Sequence, residues 1–170
     1  MPKVLVSYVR YIESFNMRLG KVLGWFVLVL IGILIIEGIS RYVFNNPTKW
    51  SLELSAMVFG TYFIIGGAYV LLRGGHVNMD VLYNRWSPKT RAIVNLATFS
   101  LLAVYLVTFI WGGIENVSYS LELGQRSSSA WAPLLAPIKI ITVVGVVLLF
   151  LQGVAFVIRD LSIVKGKPIP

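Results

Sequence analysis

Four long apolar segments dominate the sequence, and short polar segments separate them. Each segment is long enough to cross a bilayer as an α-helix, which needs about 20 residues. The pattern therefore predicts an all-α integral membrane protein in which residues 1–170 form one membrane domain. The four predicted transmembrane helices lie at about residues 22–44, 51–73, 89–114 and 133–158.

The N-terminal segment has a different pattern. Between residues 4 and 19, apolar side chains that include Leu5, Val9 and Ile12 share one helical face, and the charged side chains lie largely opposite. This arrangement is typical of an amphipathic helix in the membrane interface. A frayed extension is the alternative interpretation. A cleaved signal peptide is disfavoured, because no small-residue cleavage site follows closely.

Composition supports a membrane protein and narrows the function. The chain is 57% hydrophobic and 13% charged, with a mean hydropathy of +0.80, whereas soluble domains carry about 25% charged residues. The absence of cysteine excludes disulfides, thiolate metal sites and cysteine nucleophiles. The single histidine excludes a haem held by two histidines of this chain and disfavours a histidine-based zinc site.

The charge distribution predicts how the helices are oriented. A net charge of +8 would suggest nucleic-acid binding in a polar chain, but here the basic residues lie between the apolar segments. Lys and Arg concentrate in cytoplasmic loops. Of the 15 basic residues, 11 lie in the N-terminal segment, the middle loop and the C-terminal tail. We therefore expect both termini in the cytoplasm, and no nucleic-acid partner.

The loop between the first two helices carries the densest polar chemistry. Glu37 and Arg41 are four residues apart, so they share a helical face and can pair. Asn45 begins an Asn-Asn-Pro turn, after which we expect Ser51 to cap the second helix. If the two helices pack as a hairpin, Glu53 also comes within reach of Arg41. Two aromatic side chains flanking the turn suit the headgroup layer, namely Tyr42 and Trp50.

Three further helix ends have recognisable signals. Gly74 follows the second helix and suits a left-handed C-cap. Ser87 and Pro88 predict the N-cap and first residue of the third helix. Pro137 lies early in the fourth helix, where it either kinks the helix or occupies its opening turn.

Groups at catalytic spacing are not apparent in the sequence. His76 and Asp80 are four residues apart and could share a helical face, but no nucleophile or metal partner accompanies them. Such a pair is more often a capping or interface device. We therefore expect no enzymatic activity and no cofactor.

Several short motifs, taken in order, resemble those of one transporter family. RYVFN at 41–45, followed by WSLEL at 50–54, looks like the first outer loop of the small membrane subunit (DctQ-like, or Q subunit) of tripartite ATP-independent periplasmic (TRAP) transporters. GGHVNMDVL at 74–82 is similar to the segment after that family's second helix. LGQRSSSAW at 123–131 resembles its third loop. The resemblance covers about residues 20–160.

The resemblance implies a subunit role. Transporters of this family couple sodium entry to the uptake of organic acids such as C4-dicarboxylates or sialic acid. It implies three kinds of partner: a large membrane subunit that carries the transport sites, a periplasmic substrate-binding protein, and phospholipids of the bacterial inner membrane. The small subunit would be a non-catalytic scaffold. The structural or partner-contact candidates are Glu37, Arg41, Tyr42, Asn45, Trp50, Glu53, His76, Asp80, Arg126, Ser128, Pro137 and Lys139.

Two other classes stay open on the sequence. An autonomous small channel or transporter would be expected to have polar or glycine-interrupted segments at mid-membrane depth. The second helix does contain glycines, but small residues in membrane helices mostly permit close packing. The other class is a tetraspan anchor subunit of a membrane enzyme, which a bound cofactor would reveal.

Overall fold

Four helices form the protein in the computed structural model, which describes residues 3–74 and 86–165. All four are long and apolar enough to cross a membrane. His76 and Asp80 lie outside the described residues. The helices are α1 (Lys3–Tyr42), α2 (Ser51–Leu72), α3 (Pro88–Glu122) and α4 (Ala136–Val164).

Helix α1 is one continuous helix of 40 residues. It joins the amphipathic segment predicted at 4–19 to the apolar segment predicted at 22–44. Gly20 lies between the two segments, and a glycine inside a helix lowers helix stability by only about 1 kcal/mol relative to alanine. This cost is too small to end the helix. Gly20 instead allows close approach, because a Cβ at this position would meet the ring of Tyr69 in α2.

The amphipathic half of α1 packs against α4. Val9, Ala155 and Ile158 form a buried apolar cluster. The Tyr8 hydroxyl donates to the Leu151 carbonyl oxygen at 3.0 Å. The apolar stripe that indicated an interfacial helix is thus used, in the described residues, to hold α1 onto the C-terminal half of α4.

Polar side chains strengthen the same contact. Asn16 Nδ2 donates to Gln152 Oε1 at 2.7 Å, and both residues are fully buried. Arg159 Nη2 donates to Glu13 Oε2 at 2.8 Å. Buried polar groups are costly unless they are paired, so the Asn16–Gln152 bond makes the register between α1 and α4 specific. The exposed Arg159–Glu13 pair contributes less.

Helix α3 ends later than the sequence pattern predicts, at Glu122 rather than 114. The last turn closes with Gly124 at φ 56°, a left-handed conformation that glycine adopts without strain. Gln125 N donates to Ser120 O at 3.0 Å, and Gly124 N donates to Leu121 O at 3.3 Å. These bonds satisfy terminal carbonyls as in a Schellman motif, so the polar turns after 114 remain helical.

The other helix signals have mixed outcomes. Ser87 caps α3 as predicted, since its hydroxyl accepts from Thr90 N at 3.2 Å and Pro88 follows at the first helical position. Gly74 has the predicted left-handed conformation, with φ 66°. Pro137 lies in the opening turn of α4. The prediction of Ser51 as the N-cap of α2 is wrong, because Trp50 occupies that position without a side-chain bond.

Helix α4 is the centre of the arrangement. It contacts α1, α2 and α3, whereas α1 contacts α2 and α4, and α3 packs mainly along α4. Gly145 permits a close α2–α4 approach, because a Cβ there would overlap the Ile64 side chain and lie 3.1 Å from the carbonyl carbon and 3.2 Å from the oxygen of Ile64. Small residues allow such backbone contact between membrane helices.

Much apolar surface is left exposed by this arrangement. In the most apolar window of α3, only 6% of residues are buried inside the protein, and in that of α4 only 22%. Large exposed side chains occur along α1, α2 and α3, for example Trp25, Phe63 and Leu101. Such surfaces fit lipid or another membrane subunit.

We predict that Gly145→Ala separates α2 from α4 and lowers the stability of the protein in detergent by about 1–3 kcal/mol, because the new methyl group overlaps the Ile64 side chain and crowds the Ile64 backbone. Gly66→Ala is the control, since a Cβ there meets no atom within 4 Å. Thermal unfolding of both variants measures the difference. Equal melting temperatures would mean that the α2–α4 approach is not tightly packed.

Candidate functional site: the polar network at the loop end

The candidate site lies at the end of the bundle that carries residues 43–50 and 123–135, which we name the loop end. Here α1 turns into α2. Asn45 has φ 51°, and Asn46 N donates to the Ser40 carbonyl oxygen at 2.9 Å. Asparagine tolerates the left-handed region better than most residues, so the chain reverses here without glycine.

The Glu37 carboxylate is the centre of the site. It is buried, with 5% of the residue exposed. Oε2 accepts from Thr48 N at 3.1 Å, from Ser51 Oγ at 2.7 Å and from the Thr48 hydroxyl. Oε1 accepts from Arg41 Nε at 2.9 Å and Nη2 at 2.5 Å. One carboxylate therefore joins the last turns of α1, the corner and the start of α2.

Arg41 lies at the edge of this network. Its side chain is 40% exposed, whereas that of Glu37 is 6% exposed. The ion pair itself contributes little in such a half-exposed position. Tyr42, next along α1, is 85% exposed. The guanidinium and the Tyr42 ring thus form an accessible surface beside a buried anion.

Glu53 does not share Arg41 with Glu37, as the hairpin hypothesis expected. Among the described residues, Arg41 donates to Glu37, and Glu53 Oε2 accepts from the Ser129 hydroxyl. Ser51, rather than Arg41, connects α2 to Glu37. The acid at the head of α2 therefore joins the second loop of this end instead of the first.

The α3–α4 connection is folded back on itself. Arg126 and Leu134 form an isolated antiparallel bridge. Ser127 N donates to Pro133 O at 2.9 Å, and Arg126 Nη1 donates to Ala132 O at 3.2 Å. Ser128 is exposed at the turn. Arg126 therefore holds the shape of the loop, and Ser128 contributes an accessible position.

Lys139 ties this connection to the helices. Its Nζ donates to Asn116 Oδ1 of α3 and to Gln125 Oε1 of the loop, both at 2.7 Å. The lysine is in the first part of α4, after Pro137 has set the opening turn. Three segments therefore meet at one ammonium group.

The arrangement is suited to holding helices together. Its carboxylates accept bonds from groups of neighbouring segments, as Glu37 and Glu53 do. Across residues 3–74 and 86–165, no group of three His, Asp or Glu side chains could hold a metal ion. The network fixes the angle at which α1 and α2 leave the loop end, and it places the second loop against α2.

Sequence reasoning found the charged members of the network but missed their neutral partners. Thr48, Ser129, Asn116 and Gln125 were not identified. Each of them lies in a different segment from the group it binds, and 76 residues separate Glu53 from Ser129. The polarity of the two loops predicts that their side chains form hydrogen bonds, but it does not indicate which residues bind each other.

Comparison with known proteins agrees with the architecture of a helical multi-pass membrane protein. The family model described as the DctQ component of tripartite ATP-independent periplasmic transporters matches residues 30–162. The match includes α2, α3, most of α4 and the whole loop end. The chain belongs to this family and is a multi-pass protein of the bacterial inner membrane.

Two curated relatives have similar sequences. The sialic acid TRAP transporter permease protein SiaT of Haemophilus influenzae (strain 86-028NP) is 30% identical over 125 residues, which are 72% of this chain and 20% of that protein. The C4-dicarboxylate TRAP transporter small permease protein DctQ of Vibrio cholerae serotype O1 (strain ATCC 39315 / El Tor Inaba N16961) is 26% identical over 74 residues, which are 44% of this chain and 32% of that protein. The aligned regions thus span a third or less of each relative.

We predict that Glu37→Gln destabilises the protein by about 1–3 kcal/mol, because an amide cannot accept from Arg41, Thr48 and Ser51 together and leaves buried donors unpaired. Glu115→Gln is the matched control. Glu115 accepts from Trp111 Nε1 at 2.7 Å in an exposed pair, so its loss should cost under about 1 kcal/mol. Thermal unfolding in one detergent compares them. Equal losses would contradict a central role for Glu37.

Proposed function

We propose that this chain is the small permease subunit of a TRAP transporter and acts as a non-catalytic scaffold for a large membrane subunit. In this role it contributes to sodium-coupled uptake of an organic acid that a periplasmic binding protein delivers. The large subunit carries the sodium and substrate sites. The family membership supports a transporter component, and the following observations support the scaffold role.

The distribution of charge carries the proposal. The segments 22–36, 54–72, 92–114 and 140–158 contain no Asp, Glu, Lys or Arg. The charged side chains lie toward the two ends of the helices, and at the loop end Glu37, Glu53 and Lys139 bind groups of this same chain. A path for a carboxylate substrate and its coupling ion would be expected to have charged groups at mid-membrane depth, and these segments have none.

The exposed apolar surface supports a membrane partner. Helix α3 packs mainly on α4, and few residues of its apolar window are buried. The SiaT relative is a permease protein of which this chain covers only 20%. We take the uncovered part of that protein to correspond to the large subunit with which this chain assembles.

The names of the relatives support the substrate class that we propose. One is described as a sialic acid permease protein and the other as a C4-dicarboxylate small permease protein. Both substrates are carboxylates, so we propose an organic acid for the present system. The accessible loop-end residues, including Arg41, Tyr42, Trp50 and Ser128, are then positions where a partner subunit or binding protein can contact the scaffold.

The orientation that we propose has both termini in the cytoplasm. Four helices long and apolar enough to cross a membrane support this orientation, because an even number of crossings returns the chain to the side on which it began. The 11 of 15 basic residues on that side favour the cytoplasm. The loop end then faces the periplasm, where the binding protein docks.

We predict that single cysteines at Asn46 and Ser128 are labelled from the periplasm, whereas those at Lys89 and Lys165 react only after the membrane is permeabilised. The native chain has no cysteine, so it gives no background. All four positions are exposed. Periplasmic labelling at Lys165 would reverse the orientation.

Copurification tests the scaffold role. We predict that the full chain, isolated from native membranes in mild detergent, carries a much larger polytopic subunit, and that reconstituted uptake needs both. Sodium-dependent uptake of an organic acid by this chain alone would contradict the proposal.

The Arg41→Ala variant should retain less of the large subunit than Lys49→Ala, because Lys49 is exposed in the loop and binds no described group, whereas Arg41 is fixed by Glu37. Equal retention of the large subunit by the two variants would show that Arg41 does not contribute to the interface.

A further inference from the structure

A laterally open cavity lies between α3 and α4 near the loop end. It has a volume of about 290 Å³, which is close to the lower limit of small-molecule sites. The part farther from the loop end is lined by Phe109, Gly112, Gly113 and Val143. The part nearer the loop end is lined by the polar side chains of Asn116, Lys139 and Thr142. The hydroxyl of Thr108, which also lines it, donates to its own helix at Val104 O.

The polar part of this cavity contains an uncompensated cation. Lys139 Nζ donates to the neutral amide oxygens of Asn116 and Gln125. Lys139 takes part in neither the Arg41–Glu37 ion pair nor the Arg159–Glu13 ion pair. An ammonium group has three donors, so one donor of Lys139 remains. The nearby N-terminus of α4 adds a positive potential.

The shape of the cavity selects an amphiphile. The lining of α3 from Thr108 to Asn116 extends about 12 Å along the helix. A cation at one end and an apolar channel below it match a phosphate followed by an acyl chain. A small soluble anion would bind Lys139 but would leave the apolar part unfilled.

We propose that this cavity is a binding site for one anionic phospholipid, with its phosphate at Lys139 and part of one acyl chain between α3 and α4. The charge favours a lipid with a net negative headgroup, because the ammonium of a zwitterionic headgroup would be repelled by Lys139. The lipid would then contact both α3 and α4 on the open side of their interface. This inference goes beyond the scaffold role and does not depend on it.

Two variants test the site from its two ends. Lys139→Gln removes the charge, and Gly112→Leu fills the channel, where a Cβ at 112 meets no protein atom within 4 Å. Lys139→Arg keeps the charge. The controls are Lys49→Gln, an exposed basic residue of the same end, and Gly60→Leu, at a glycine of α2 with equally open surroundings.

The experiment uses the full chain together with the subunits that copurify, delipidated and then exposed to phosphatidylglycerol or phosphatidylethanolamine. Native mass spectrometry counts retained lipids, and thermal unfolding measures stabilisation. We expect preferential retention of one phosphatidylglycerol, a roughly tenfold weaker retention in Lys139→Gln and Gly112→Leu, and unchanged retention in Lys139→Arg and both controls.

Three results would overturn the proposal. Equal retention of phosphatidylglycerol and phosphatidylethanolamine by the native chain would show that the site does not select an anionic headgroup. Unchanged phosphatidylglycerol retention in Gly112→Leu and Lys139→Gln would place the lipid elsewhere. Loss of the copurifying subunit in Gly112→Leu, without loss of lipid, would assign the cavity to a protein contact.

Discussion

The buried carboxylate of Glu37 is the interaction on which the loop end depends. A charge near the membrane is tolerated only when its bonding capacity is satisfied, and both oxygens of Glu37 accept bonds. Those bonds come from the last turn of α1, the corner and the first residue of α2. The same requirement therefore fixes the path of the chain through the corner and the relative position of two helices.

Helix α4 organises the rest of the structure through small residues rather than through a large apolar core. Gly145 lies against the backbone of Ile64, and a Cβ at Gly153 would meet the ring of Phe99. Next to Gly153, the buried Asn16–Gln152 pair sets the position of α1. Lipid is as apolar as leucine, so close contact and polar bonds are the forces that hold membrane helices together.

The sequence predicts the helices well and their contacts poorly. Hydrophobic length identifies four spans because the bilayer imposes that length. The hydrophobic pattern predicts the end of α3 too early, because the residues after 114 are polar, whereas the helix continues to Glu122 and is closed by Gly124. The i,i+4 pair of Glu37 and Arg41 follows from helical geometry, but the Glu53–Ser129 bond depends on tertiary packing, which has no local signal.

The position of α3 follows from these forces. Its contact with α4 is supported by Gly113 beside Val143 and by Lys139, which binds Asn116 and the loop. Most of its apolar side chains face away from this chain. Because α3 contacts mainly α4 and is bound by Lys139 at its loop end, the rest of its surface can contact a neighbouring molecule. The polar bonds at the loop end thus set the direction of α3, while its exposed apolar face stays available to lipid or another membrane subunit.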